Sequence, residues 1–214
     1  MARIVIFGGT GYSGGNIARE AVGRGHQVVS YSRNAPSEPL EGVEYCTGSM
    51  ADSAVVDAAA HGADHVVVAL KAEDVDGEPM VERVPSLIEA ASRHGARLSF
   101  VGGAASSMVA EGGPRLLDTP DFRAEWRPEA TAHAAVLEAL RQAPEDLDWF
   151  YVSPAALYGS FAPGETTGTY RTGGDLLVTK DDGSSEISGT DYAKAYVDEI
   201  ERGDHPRQRF TVGH

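Results

Sequence analysis

Cysteine occurs once, at Cys46. An intramolecular disulfide is therefore impossible, and a reducing compartment is permitted. A catalytic thiol needs a base or a helix N-terminus beside it. The sequence around Cys46 suggests neither, so the expectation is a small core residue in a strand. Positive charge is scarce too: 18 lysines and arginines face 32 aspartates and glutamates, a formal charge of −14 at pH 7. A field of that sign repels nucleic acid and anionic membrane surfaces, so neither is an expected partner. No apolar run reaches the roughly 18 residues of a membrane span. No segment reads as a signal peptide, and the first strand begins at Arg3, so the expected location is the cytoplasm. Internal repeats, linkers and low-complexity tracts are also missing. With 42% hydrophobic residues in 214, enough for a substantial core, the expectation is one domain over residues 1–214.

What is present is concentrated at the start. Ile4 to Gly15 reads Ile-Val-Ile-Phe-Gly-Gly-Thr-Gly-Tyr-Ser-Gly-Gly, a β-branched run that ends in glycines and opens at once into a helix. Glycines at Gly8, Gly11 and Gly14 permit a tight turn, close backbone approach to a phosphate and close helix–strand packing. Exposed N–H groups and the helix dipole attract an anion without any basic side chain. The expectation is a dinucleotide pyrophosphate on this loop, with Gly8, Thr10, Gly11, Tyr12, Ser13 and Gly14 as its cradle.

Further along, apolar runs alternate with helical periodicities. Strands are expected at 3–7, 27–31, 43–47, 65–70, 97–101, 147–152 and 209–212. Helices are expected at 14–24, 52–61, 80–94, 129–141 and 190–202, the last with Ala193, Val197 and Ile200 on one stripe. The clearest strand contains Val66, Val67 and Val68, a fully apolar run suited to the centre of a parallel sheet. Such alternation implies βαβ units and an α/β, doubly wound, mostly parallel sheet with helices on both faces. Two long irregular regions, at about 103–128 and 153–185, follow carboxyl ends of strands. Ligands sit at that edge of an open α/β sheet, so these loops are expected to form the substrate side. A short hairpin of 169–172 with 176–179 is expected within the second.

The end of the second strand discriminates between nicotinamide cofactors. A carboxylate there suits the ribose hydroxyls of NAD, whereas a guanidinium can grip the 2′-phosphate of NADP. The residues are Ser32 and Arg33, with no carboxylate until Glu38, so NADP(H) is preferred over NAD(H). Arg33 also supplies local positive potential on an acidic chain.

With these residues in view, the sequence resembles the atypical short-chain dehydrogenase/reductase superfamily, whose fold is the Rossmann type. Within it the chain is most similar to small bacterial NADH-flavin reductase-like proteins, with NmrA-like proteins and biliverdin/flavin reductases more distant. Gly8-Gly9-Thr10-Gly11-Tyr12-Ser13-Gly14 matches the Gly-x-x-Gly-x-x-Gly loop. Phe100 to Ser106 matches the glycine-rich segment after strand five, and Ile187 to Ala193 matches the start of the last helix. The resemblance implies cofactor contacts at Ser49 and Met50, where the adenine-contacting Asp of the family is missing. It also implies contacts at Leu70 and Lys71 after strand four, at Gly102 and Gly103 after strand five, and at Ser153 and Pro154 after strand six.

The superfamily's Tyr-x-x-x-Lys is absent: no tyrosine, from Tyr12 to Tyr196, has a lysine four residues later. Reduction of a simple carbonyl demands a positioned acid. Flavins and quinones accept hydride into a delocalised ring and can take the proton from water, so that aligning the rings suffices. The expected activity is therefore NADPH-dependent hydride transfer to a flavin-, quinone- or other conjugated small-molecule acceptor. One alternative is an NmrA-like sensor of NADP redox state without catalysis; another is a metabolite reductase or isomerase with an acid from the loops. Ser106 and His133 are the catalytic candidates, with Ser107, Tyr158, Tyr170 and Arg171 as further substrate-side groups. A monomer or homodimer is expected. No metal site is expected: Gly62 breaks the shared face of His61 and His65, and Asp181-Asp182-Gly183 reads as a turn.

Overall fold

A computed structural model describes residues 1–214. Eight strands form one sheet: β1 (Arg3–Phe7), β2 (Gln27–Ser32), β3 (Val43–Thr47), β4 (His65–Val68), β5 (Arg97–Val101), β6 (Trp149–Ser153), β7 (Arg171–Gly173) and β8 (Gln208–Gly213). Their order is β3-β2-β1-β4-β5-β6-β8-β7, and every pair is parallel except β7 with β8. The helices are α1 (Tyr12–Gly23), α2 (Ser53–Ala60), α3 (Val84–His94), α4 (Arg127–Arg141) and α5 (Gly189–Arg202). This is the doubly wound Rossmann arrangement, and its switch point lies between β1 and β4. No helix is long and apolar enough to cross a membrane.

The continuous apolar strands are explained by two cores, one on each face. Val5, Phe7, Val66 and Val68 point into the larger, which α2, α3 and α4 cover. Ile4, Ile6 and Val67 point into the other, under α1 and α5. A strand buried on both faces has no polar side to alternate. Ala193 and Val197 lie in the second core with Ile200 at its edge, and Tyr192 and Tyr196 fill it between them. Cys46 sits on β3 but is only half-buried, because β3 is an edge strand.

Three departures from the sequence pattern have identifiable causes, two of them local. Residues 80–94 split into a 3-10 turn, Met80–Arg83, and then α3. Pro85 has no N–H for the carbonyl of Val81, so one α-helix cannot run through. In contrast, Pro128 stands in the first turn of α4, where its missing N–H is harmless, and the helix starts before it. The expected hairpin of 169–172 with 176–179 does not form. Arg171–Gly173 pairs instead with β8, Thr172 opposite Val212, and Leu176 bridges to Met108. Without β7, β8 would be an open edge, and covering its backbone groups outweighs the nearer pairing.

His65 is buried on β4 with Nε2 2.8 Å from the Ser99 hydroxyl, which also accepts a hydrogen bond from Tyr196 at 2.7 Å. The His65 ring meets Phe150, whereas the exposed His61 meets His94. Burial, with a smaller push from Arg97, lowers the His65 pKa to about 3, so the folded protein holds it neutral. Protonation then favours the unfolded chain: this stability is intact above pH 6.5 and is lost as pH falls toward 3. By chemical denaturation, the stability of the native protein relative to His65→Gln should shrink by about 2 kcal/mol between pH 7 and 5.

Candidate functional site

The site begins where β1 stops. The Gly8 N–H donates to the Tyr31 carbonyl at 3.0 Å, and that of Ala69 to Phe7 at 2.8 Å, after which the ladders on both sides of β1 end. Gly8 turns with φ +92°, and a Cβ on it would lie 2.4 Å from the Ala69 oxygen. Gly11 N–H closes the turn on the Gly8 carbonyl at 3.0 Å. Helix α1 then starts at Tyr12 so close beneath that a Cβ on Gly14 would lie 2.2 Å from the Gly8 oxygen. The N-cap is Gly11, which has no side chain to cap the helix. The first-turn N–H groups of Tyr12, Ser13 and Gly14 have no intrahelical acceptors, and the positive end of the dipole points the same way. A pyrophosphate fits that cradle.

A cavity of about 440 Å³ opens beside it. Gly8, Thr10 and Gly11 form one wall, and Ser32 and Arg33 follow from the end of β2. Ser49 and Met50 come from the turn after β3, with Leu70 and Lys71 after β4. Tyr12 lies in the adjoining groove with Thr10 and Gly11. The end of β4 at Val68, two residues earlier than the sequence pattern implies, is what releases Leu70 toward the cavity.

One wall was missed. Asp74, Val75 and Asp76 also line this cavity. Asp76 and Gly77 have φ +53° and +90°, and the Val75 N–H donates to the Glu78 carbonyl at 2.7 Å, giving a tight turn that juts from the loop after β4. The Asp76 carboxylate pairs with Arg33 at 2.9 Å and accepts the Ser49 hydroxyl. These partners, Ser49 foremost, hold its pKa below the usual carboxylate range. The Asp-Gly pair announces a turn in the sequence, but nothing local announces that the turn meets Arg33.

At the ends of β5 and β6, by contrast, the side chains bind one another. Gly102 and Gly103, Ser153 and Pro154, and the candidates Ser106 and His133 all lie outside the cavity. A Cβ on Gly102 would strike the Tyr151 ring at 2.0 Å, so packing alone demands that glycine. Gly103 N–H donates to the Tyr151 oxygen at 3.1 Å, and the Tyr151 hydroxyl donates to the His133 carbonyl at 3.1 Å with Nδ1 at 3.3 Å. His133 Nε2 lies 3.2 Å from Glu129, whose carboxylate accepts the N–H groups of Ala72 at 2.9 Å and Glu73 at 2.8 Å. Burial opposes the Glu129 charge, but His133 and the two amides outweigh it and hold its pKa low. His133 is thus a largely buried strut between two loops, and both ring nitrogens are engaged.

The hydroxyls follow suit. Ser107 accepts from the buried Arg209 at 2.6 Å, while the Ser106 hydroxyl is buried without a partner. The Tyr158 hydroxyl donates to Ser13 at 2.8 Å and its ring meets Tyr12, tying the loop after β6 to the first turn of α1. Burial pushes the Tyr151 and Tyr158 phenols well above their ordinary pKa. Tyr170 and Arg171 are engaged in the fold: Tyr170 bonds Asp198 on α5, and Arg171 bonds the carbonyls of Thr179 and His214. The Ser188–Asp191 motif is an anchor. Buried Asp191 accepts the N–H groups of Thr167 at 2.8 Å and Gly168 at 2.9 Å, pinning the irregular loop to α5.

Residues 8–202 match the NAD(P)H-binding family. The chain belongs to that family. The uncharacterized protein YwnB of Bacillus subtilis (strain 168) is 35% identical over 213 residues, covering 98% of this chain and 97% of YwnB. A Burkholderia pseudomallei structure named "putative exported protein" is 39% identical with a TM-score of 0.87, and all of both chains is covered. A Streptococcus pneumoniae TIGR4 structure named "putative NADH-flavin reductase" is 32% identical with a TM-score of 0.84, again over all of both chains. The fold is shared with a short-chain dehydrogenase/reductase of Veillonella parvula DSM 2008 in complex with NADP, at 17% identity, a TM-score of 0.73 and coverage of 100% and 94%.

In this family member the glycine cradle has a calculable tolerance. Gly14→Ala should lower stability by about 1–3 kcal/mol through overpacking and weaken binding of the nicotinamide cofactor. Gly23→Ala, at the far end of α1 with nothing within 4 Å of its Cβ position, should be neutral or stabilising by about 0.4–1 kcal/mol. Thermal unfolding with and without NADPH or NADH checks both.

Proposed function

We propose that this NAD(P)H-binding protein is an NADPH-dependent reductase that delivers hydride to a flat conjugated acceptor of the flavin or quinone class. When bound, the cofactor supplies hydride from its dihydronicotinamide. The first-turn amides of α1 hold the pyrophosphate, Arg33 meets the 2′-phosphate, and Ser49, Met50, Leu70 and Lys71 flank the adenosine half. The backbone of Gly102–Gly103 and Ser153–Pro154 bounds the nicotinamide half.

The observation that carries the choice of acceptor is that the acid–base side chains beyond β5 and β6 are already engaged, the one buried unpartnered hydroxyl in the loop after β5, Ser106, being too weak an acid to serve. Tyr151, His133, Glu129 and Ser107 are hydrogen-bonded to one another or to fixed partners. None is a free acid, so an acceptor that needs its proton in the same step as hydride is disfavoured. A flavin or quinone stabilises the added charge in its ring and needs alignment alone. The name of the S. pneumoniae neighbour supports the same class. The intracellular supply of NADPH supports a cytoplasmic site of action.

Steady-state oxidation of NADPH with FMN, riboflavin, a benzoquinone and a panel of aldehydes and ketones tests the reading. Turnover is expected with the first three and not with the carbonyls. Arg33→Ala should raise the KM for NADPH about tenfold and leave that for NADH nearly unchanged. Tight NADPH binding with no oxidation by any acceptor would instead favour a redox sensor.

A further inference from the structure

We propose that Asp76 is the residue that limits discrimination between NADPH and NADH, because its carboxylate occupies the guanidinium that the 2′-phosphate must take. The inference rests on the reading that Arg33 meets that phosphate.

The Asp76 carboxylate stands between Arg33 and Ser49 on the wall of the cavity that the glycine loop also lines. The loop that delivers it is fixed. Its base is closed by the Met80 N–H to the Ala72 carbonyl at 2.9 Å, and Ala72 and Glu73 are pinned to Glu129. Its tip is shaped by the Asp74 carboxylate, which accepts the Gly77 N–H at 2.7 Å. The carboxylate therefore stays in the cavity when its partner leaves. Arg33, by contrast, is 73% exposed and makes no bond other than the one to Asp76. An ion pair so open to water is weakly held and exchanges readily.

The consequence differs between the two cofactors. A 2′-phosphate carries nearly two negative charges at pH 7 and accepts hydrogen bonds only; it gains Arg33 but must face Asp76. A ribose 2′-hydroxyl can donate to the same carboxylate, and loses nothing by leaving the Arg33–Asp76 pair intact. The sequence pattern at the end of β2 points to NADPH; the turn from β4 returns the missing carboxylate to the place where it counts against NADPH.

Asp76→Asn removes the charge and keeps the turn, because asparagine tolerates the left-handed backbone as aspartate does. Calorimetric titration with 2′,5′-ADP and 5′-ADP, and with NADPH and NADH, reads the effect on the native protein, Asp76→Asn and Arg33→Ala. Expected is a gain of about five- to tenfold in affinity for the two 2′-phosphorylated ligands in Asp76→Asn, with the other two unchanged or weakened. An unchanged ratio in Asp76→Asn, alongside a lowered ratio in Arg33→Ala, would overturn the role of Asp76 and leave Arg33 in place. Equal losses for all four ligands in Asp76→Asn would overturn it too, by making Asp76 a general support of the cavity. An unchanged ratio in Arg33→Ala would remove the underlying reading and this inference with it.

Discussion

The glycine turn seats the Gly8 carbonyl directly against the first turn of α1, with Ala69 pressed against the other side of Gly8. The rest of the site depends on it. While β1 runs, its ladders to β2 and β4 leave no room for a ligand. Past the Gly8 and Ala69 amides the ladders end, the chains of β2 and β4 diverge, and a crevice opens over an uncapped helix N-terminus. Only glycine allows this, since side chains at 8 and 14 would push helix and strand apart and fill the space the N–H groups face.

On the far side of the crevice the polar residues do structural work. Glu129, His133 and Tyr151 join the loops after β4 and β5 through α4. Arg209 joins the loop after β5 to Asp175, and Asp191 joins the loop after β6 to α5. Long irregular loops over a sheet edge would otherwise bury unpaired backbone groups. Satisfying them takes up the side chains that acid–base chemistry would want. A rigid, acid-poor crevice suits an acceptor whose own ring carries the charge.

The electrostatics follow the same division. A chain with a formal charge of −14 offers little long-range attraction to an anionic cofactor, and the attraction has to be local. Backbone dipoles at α1 supply it for the pyrophosphate without any titratable group. In the proposed function Arg33 supplies it for the adenosine end, in opposition to a carboxylate brought from another loop.

Residues 3–7, the glycines and the start of α1 were legible because strand, turn and helix are contiguous, and each glycine has a role its neighbours define. The same holds for the apolar run of β4 and for the place of Arg33 just past the end of β2, on the cavity wall. Tertiary structure alone decided the rest. The pairing of β7 with β8 rather than with 176–179 depended on which edge lacked cover. Of the two side chains His133 meets, Glu129 is one turn away on α4, but Tyr151 comes from β6, and Glu129 itself reaches Ala72 across 57 residues. Asp76 meets Arg33 across 43 residues. Periodicity and turn propensity report what a residue does to its own segment. Which distant carboxylate meets which guanidinium is set by where the sheet order places the strand ends, and that order is a property of the whole packed chain.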